Sequence, residues 1–463
     1  MITLYNTLSH KKDVFKPLKA KKVLLYTCGP TVYWFAHIGN LRSYIFSDIL
    51  VRTFKYNGYK VKHVMNITDI DDKTIKGTVK EYGKEAKKEE LKKFTQKYIK
   101  TFKEDIGKLN FQTELTFITA TSVVEEIKTA VKKLIKKKFA YMKDGSAYFD
   151  IKKYNQKFKD YGMLAGKNFL KGLRLGKVIS VDEYQKENIG DFVLWKGFKE
   201  NDDANIYWTD PILGKGRPGW HIECSVISMK YLGNSFDVHN GGVDLIFPHH
   251  SNEIAQSQAL SNKVPFVRYW IHAEHMMIND EKMSKSKNNF YTLRDIEKEF
   301  DPLAYRYLCL GSHYRSKMNF SWRSLESSQK ALERLRKKMI EFKKEKEDKE
   351  FSKMAKEYKE EFLTLLDNDI DTPKALALTW KMIESKLISN GEKYSLLLEF
   401  DKVLGLNLRE VKKLKIPSEI IELSRKRELL RKQKKWEESD EIRKKIESKG
   451  YKLEDTGEGT KVV

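Results

Sequence analysis

Thiolates, imidazoles and carboxylates that converge can hold a metal ion, and this chain offers a small set of them. Its three cysteines are Cys28, Cys224 and Cys309. Zinc favours Cys sulfur, His nitrogen and carboxylate oxygen in a roughly tetrahedral shell, which makes Cys28 and Cys224 the candidate thiolates. In FPHHSNEIAQSQAL, Pro248 can open a helix, so that His249 and Glu253 fall at i and i+4 on one face. His250 and Glu253, at i+3, would serve as well. Spacing alone neither chooses between the two histidines nor brings Cys28 near Cys224. Cys309, among the apolar residues of AYRYLCLGSH, reads as a small hydrophobe and stays outside the site.

A second chemistry is the handling of phosphate. CGPTVYWFAHIGNLR places His37, Gly39 and Asn40 at the start of an expected helix, where backbone N–H groups and the helix dipole favour an anion. Gly39 lets the backbone approach closely, and His37 can donate to a phosphate oxygen. Far along the chain, EKMSKSKNNF alternates Lys282, Lys285 and Lys287 with Ser284 and Ser286. Such ammonium groups can neutralise charge moving onto a leaving pyrophosphate. Asp69, Asp71 and Asp72 of TDIDD invite a magnesium reading, but a helix cap or local structure accounts for them more simply. Trp220, four residues before Cys224, offers rigid apolar area for a small side chain. His221, His239, His272 and His275 are candidates to surround the site.

These residues need elements to hold them. KVLLYTC and KVKHVMNIT read as strands around a helix whose apolar positions Phe46, Leu50 and Phe54 recur every four residues, with Gly58 where a C-terminal glycine belongs. This is a βαβ unit, hence an α/β fold with a parallel sheet. From Thr74 to Ile135 the pattern is helical and Lys-rich, and from Tyr141 to Leu194 it is short, mixed and Gly-punctuated, as in an insertion. Strand-like runs return at FDVHNGG and VRYWIHAEHMMI. The expected layout is a Rossmann-type parallel-sheet catalytic domain in two halves, 1–115 and 205–275, split by a connective insertion at 116–204. A KMSKS-containing junction at 276–323, a helical bundle at 324–410 and a small basic domain at 411–463 follow.

The pairing of HIGN after a first strand with KMSKS after a last one resembles the class I aminoacyl-tRNA synthetases, whose signatures sit on a Rossmann fold. Within that class, YTCGPTVYWFAHIGN, NITDIDDK, DFVLWK, GRPGWHIECS, GGVDLIFPHHSNEIAQS, EKMSKS and GSHYRS resemble the cysteinyl-tRNA synthetases from the N-terminus into the tail. The resemblance implies activation of L-cysteine with ATP and magnesium to an adenylate, followed by transfer to the tRNA's terminal ribose. It implies one zinc ion on Cys28, Cys224, His249 and Glu253, which selects the substrate thiolate over serine. It also implies catalytic roles for His37, Asn40, Lys282 and Lys285, nucleotide contacts from His37, Gly39, Asn40 and Lys285, and substrate contacts from Thr68, Trp220 and Asp244. A monomer is the family expectation.

In the tail, SRKRELLRKQKKWEESDEIRKKIESKG reads as a basic helix bearing Arg425, Lys426, Arg427, Arg431, Lys432, Lys434 and Lys435 before Trp436, and it resembles the family's anticodon-binding module. Two departures are visible. GTKVV lacks the tryptophan that family members place after Gly-Thr, and FQTELTFITATSVV lacks the usual proline and arginine.

Composition permits this reading. The net charge of +24 suits a polyanionic partner or a Lys-rich proteome alike. The sparse cysteines fit a reducing compartment. The opening MITLYNTLSHKKD has no apolar core of a signal peptide, and no stretch approaches the ~20 apolar residues of a bilayer span, so a cytoplasmic protein off the membrane is expected. Two rivals stand beside the synthetase. A mycothiol-type cysteine:amino-sugar ligase would lack the basic tail, and a non-catalytic RNA-binding paralogue would show no cysteine-dependent pyrophosphate exchange.

Overall fold

The computed structural model describes residues 1–111, 114–166, 191–200, 204–279, 281–282, 290–345, 350–410, 418–448, 451, 453–456 and 459–462. They divide into two compact units, Met1–Arg409 and Glu410–Val463.

The first unit is built on a five-stranded parallel sheet of β1 (Lys22–Thr27), β2 (Lys60–Ile67), β3 (Leu115–Thr119), β4 (Phe236–Gly242) and β5 (Val267–Ala273). Their spatial order is β5-β4-β1-β2-β3. That is the doubly wound arrangement, in which the order reverses between β1 and β4 and a crevice opens beyond their carboxyl ends. Helix α1 (Ile38–Tyr56) joins β1 to β2 and is buried on nearly all sides, Leu41, Ile45, Leu50 and Phe54 included, because the sheet covers one face and later helices the other. Gly58, at φ +80°, follows its last turn, where a β-carbon would be strained.

The structure moves the expected boundaries of the insertion. β3 pairs in register with β2 and belongs to the parallel sheet, so the first half runs past 115. On the far side, Trp208–Asp210 and Gly214–Pro218 pair with the insertion's antiparallel sheet of 140–143, 146–149 and 192–197, so the second half starts at helix α2 (Trp220–Leu232) rather than at 205. Helix α3 (Ser251–Ser261) then leads from β4 to β5. After a junction that includes helix Pro302–Leu310, the described residues hold four helices, Trp322–Phe342, Lys353–Asp367, Thr372–Glu384 and Asn390–Leu404, where a bundle was expected.

A buried ion cluster ties α1 to this bundle. Asp48 Oδ2 lies 2.7 Å from both Arg52 Nε and Arg306 Nη2. Arg306, on helix α4 (Pro302–Leu310), also donates to the carbonyls of Leu404 (2.7 Å) and Leu109 (3.0 Å), and Arg52 donates to those of Lys402 (3.1 Å) and Asn110. Two cations share one carboxylate, and both also donate to carbonyls at the C-terminal ends of two helices, Lys88–Lys108 and Asn390–Leu404.

The second unit holds helices Ser418–Lys432 and Trp436–Ser448 and a hairpin of Leu453–Thr456 with Gly459–Val462. The single tail helix expected from sequence is two, broken at Lys434, whose φ of +61° no helix accommodates. Among the described residues no helix is long and apolar enough to cross a membrane.

Candidate metal centre and nucleotide site

β1 ends at Thr27, and the next residue, Cys28, turns into the switch-point crevice with its amide bonded to the Asn240 carbonyl of β4 (3.2 Å). Cys224 comes from the second turn of α2, and His249 and Glu253 from the chain entering α3. These four place one ligand atom each within 4.8 Å of one another, and all four residues are buried. The sulfurs stand 3.8 Å apart, His249 Nε2 lies 3.1 Å from Glu253 Oε1, and Cys28 Sγ lies 3.6 Å from the same oxygen. Zinc–sulfur bonds of about 2.3 Å at a tetrahedral angle separate two sulfurs by about 3.8 Å, so this donor set fits zinc in both chemistry and spacing. Pro248 does not open α3 as expected. Phe247 is extended (φ −141°, ψ 132°) and the regular helix starts at Ser251, yet the turn between keeps His249 and Glu253 together.

Cys28, His239, His250 and Glu253 also converge, so sequence and proximity alone leave two overlapping sets. Both sets present an imidazole Nε2 to the cluster, His249 at 3.1 Å from Glu253 Oε1 and His250 at 3.3 Å from Cys28 Sγ, and it is the family resemblance that assigns His249. Nδ1 of His249 meets His221 Nδ1 at 2.9 Å, and its ring stacks on Trp220 at 4.2 Å, leaving Nε2 to face the sulfurs and Glu253. His250 Nδ1 meets His272 Nε2 at 2.8 Å, and His272 Nδ1 reaches Thr7 Oγ1 at 2.7 Å. His239 Nε2 lies 3.0 Å from Glu253 Oε2, bracing the oxygen that faces away from His249. His221, His239 and His272 therefore surround the cluster; the ring contacts do not extend to His275, whose carbonyl is held by Arg42 Nη1 (2.8 Å).

Burial acts against charge on every member, but mutual contacts overcome it for three. Burial pushes the Cys28 thiol well above its ordinary value, and neighbouring Cys224 adds to that. For Cys224, burial opposes ionisation, yet a hydrogen bond from Cys28 and the charge of His249 draw the thiol down to about 6. His249 rises to about 10 because Cys224 and Glu253 outweigh its burial, and Glu253 falls to about 2 through His239 and His249. Burial keeps His250 and His272 neutral, the latter down at about 3. The cluster so holds a thiolate and a carboxylate against one imidazolium, a net negative seat in a dry environment.

At the other side of the crevice, His37 caps α1, its Nδ1 accepting from the Asn40 amide at 3.1 Å. A neutral ring with Nδ1 accepting carries its proton on Nε2, and an N–H of that kind can donate to a phosphate oxygen. Gly39 and the exposed Asn40 follow in the first turn. Trp220, 37% exposed, forms a wall over His249; Thr68 is buried at the end of β2; Asp244 lies exposed on the turn after β4. The backbone of Lys282 pairs with Met277, whereas Lys285 lies outside the described residues. The aspartates of TDIDD are occupied: Asp71 caps helix Asp72–Tyr82, Asp69 accepts from Thr121 N (2.9 Å) and Oγ1 (2.5 Å), and Asp72 pairs with Lys196 (2.8 Å) and Arg217. Cys309 is buried on α4, its thiol pushed up to about 11 by that burial.

Sequence reasoning missed Arg42. Its guanidinium donates to the carbonyls of Glu274, His275, His313 and Ser316, binding α1 to both ends of the segment that carries KMSKS. The signal was an arginine two residues beyond HIGN, but nothing local told what it would grip.

Residues 14–330 match the family described as tRNA synthetases class I (C) catalytic domain. Over nearly the full length the chain is 42% identical to the cysteine-tRNA ligase of Chlamydia felis, covering 99% of this chain and 97% of that one. The chain belongs to the cysteine-tRNA ligases. The ligase of Protochlamydia amoebophila is 40% identical, with 100% and 97% covered, so the likeness to this class I synthetase family extends through the tail. Among solved structures, a Mycobacterium tuberculosis methionyl-tRNA synthetase (TM-score 0.57, 12% identity, 83% and 90% covered) and an Agrobacterium radiobacter K84 LeuRS (TM-score 0.62, 12% identity, 86% and 85% covered) share the fold.

The ligase's second unit corrects the reading of its basic stretch. Arg427 is fully buried and pairs through both Nη atoms with Asp455 (2.6 and 3.0 Å), Nη1 also reaching Thr460 Oγ1 (2.8 Å). It is the unit's internal strut, whereas Trp436 is 56% exposed. Arg427→Met is expected to lower the stability of this unit by about 3 kcal/mol, the low end for breaking a buried pair because Asp455 keeps some solvent. Urea titration followed by Trp436 fluorescence checks it, and pyrophosphate exchange should remain at the wild-type rate.

Proposed function

We propose that this ligase activates L-cysteine with ATP and magnesium, releases pyrophosphate, and passes cysteine from the adenylate to the 3′-terminal ribose of its tRNA, acting as a monomer in the cytoplasm with one zinc ion per chain. The observation that carries the reading is the convergence of Cys28, Cys224, His249 and Glu253 after β1, with His37 capping α1, the next helix in the chain. Cys28, Cys224, His249 and Glu253 would hold the zinc, which would supply a Lewis acid with a preference for a thiolate over a neutral serine hydroxyl. An apolar pocket alone separates near-isosteres by only about 1–3 kcal/mol, so a direct sulfur bond removes the need for editing.

The chain's own groups do the rest. Trp220 closes the pocket around the small side chain, and Thr68 and Asp244 receive its polar groups. The substrate carboxylate is already ionised, so no base is required: its oxygen attacks the α-phosphorus as the bond to pyrophosphate breaks. His37 Nε2–H, Gly39 and Asn40 at the α1 dipole hold the phosphates, and Lys282 and Lys285 neutralise the leaving charge. The tail contributes the anticodon contacts.

ATP–pyrophosphate exchange with cysteine and with serine, on protein assayed for zinc, tests the whole reading. Exchange with cysteine alone supports it, and equal exchange with serine, or full activity without zinc, defeats it. His37→Ala is expected to slow exchange by about 10²-fold with little change in the KM for cysteine, the usual cost of one donor to developing charge. An unchanged kcat would remove His37 from the phosphate site.

A further inference from the structure

The two sulfurs arrive from distant parts of the chain, and a short polar chain spans the gap between them. Gly29, directly after Cys28, donates its amide to Asn66 Oδ1 at 2.8 Å. Asn66 Nδ2 donates to Thr68 Oγ1 at 3.2 Å, and that hydroxyl donates to Glu223 Oε2 at 3.0 Å. Glu223 directly precedes Cys224. Three hydrogen bonds thus join the residue after one sulfur ligand to the residue before the other, across the end of β2 and the first turn of α2. Asn66, Thr68 and Glu223 are all at most 1% exposed. Gly29 is part of the fit, since a β-carbon there would run into the Asn66 carbonyl oxygen.

Nothing in the backbone hydrogen bonding fixes that gap by itself. Cys28 is placed by the parallel sheet, whereas α2 follows the antiparallel insertion and is tied to α3 through Gln256, which donates to the His221 carbonyl and to Ser225 Oγ, so the two sulfurs are positioned by different neighbours. The polar chain is directional: Asn66 uses its oxygen toward Cys28 and its amide toward Thr68, and Thr68, by donating to Glu223, keeps one lone pair of its oxygen for another donor. We propose that Asn66 and Glu223 are positioning residues that, through Thr68, hold the sulfurs of Cys28 and Cys224 at their 3.8 Å separation and thereby set both the affinity for zinc and the binding of cysteine. The inference rests on the zinc reading above and adds determinants outside the ligand set.

The test uses full-length holoenzyme in four forms: wild type, Asn66→Ala, Glu223→Ala and Glu223→Gln, the last keeping an oxygen acceptor for Thr68. Zinc affinity is read by competition with a chromophoric chelator, ligand geometry by the visible spectrum after cobalt substitution, and binding by the KM values in pyrophosphate exchange. Both alanine variants should bind zinc about 10- to 100-fold more weakly, the usual consequence of disturbing groups that orient metal ligands. They should also shift the cobalt spectrum and raise the KM for cysteine without moving that for ATP, while Glu223→Gln stays near wild type. Should an alanine variant fail to fold by circular dichroism, Thr68→Val breaks the same chain with an isosteric side chain and is read by zinc affinity and cobalt spectrum alone, because Thr68 also meets the substrate. Folded variants with wild-type zinc affinity and cobalt spectrum overturn the brace alone. A wild type that holds no zinc overturns the brace together with the reading beneath it.

Discussion

Cys224→Ser is expected to give a folded protein that holds little zinc and has lost cysteine-dependent pyrophosphate exchange by on the order of 10³-fold, because direct coordination supplies several kcal/mol of charge stabilisation. The size follows from where Cys224 sits. It is the thiol whose neighbours Cys28 and His249 favour ionisation against burial, and His249 and Glu253 stand around it. A serine hydroxyl stays protonated there, leaving His249 without its strongest partner and the seat with one sulfur. The loss should be chemical rather than structural, since serine is nearly isosteric, and thermal unfolding of the zinc-depleted wild type gives the reference. Cys309→Ala is the matched control: that thiol lies among apolar residues of α4, and its removal should leave exchange and zinc content unchanged. Full zinc occupancy in Cys224→Ser, measured by atomic absorption, would falsify the ligand set.

The second large effect lies away from the crevice. Asp48→Ala should destabilise the first unit by about 3–5 kcal/mol, because it leaves two guanidiniums, Arg52 and Arg306, buried beside each other without their shared carboxylate. Asp48→Asn, which keeps acceptors but not charge, should fall between that variant and wild type. Helix α1 is 19 residues long, about 28 Å at 1.5 Å per residue, and runs from the His37 cap to the region of this cluster. Urea unfolding monitored by circular dichroism measures the loss, and a midpoint equal to wild type for Asp48→Ala would show that the arginines find other partners.

The residues that could do chemistry were legible because their types are rare and local. Two of only three cysteines, a His-His-x-x-Glu run and a histidine before Gly-Asn each carry their meaning in a few positions. What sequence left open was convergence: nothing near Cys28 says that α2 will return to it, and nothing at His249 and His250 says which ring is turned by His221 and which by His272. β3 was lost because LTFIT is a short strand between Lys-rich helices, where helical periodicity on both sides dominates the pattern. Arg427 was misplaced because it looks like its neighbours. Only the fold of the tail, with Asp455 brought back by the hairpin, distinguishes a buried arginine from solvated ones.

The separation of the donors along the chain also dictates timing. Cys28 and Cys224 lie 196 positions apart, and the last member of the set is Glu253. At about 5–20 residues per second, roughly 10–50 s of synthesis pass between the first codon and the appearance of a complete ligand set. During that interval Cys28 is an unpartnered thiol on an unfinished sheet, and the insertion must fold before α2 can deliver Cys224. On the zinc reading proposed above, capture of the ion comes late in the life of the nascent chain, and zinc supplied after synthesis should be taken up as readily as zinc present throughout.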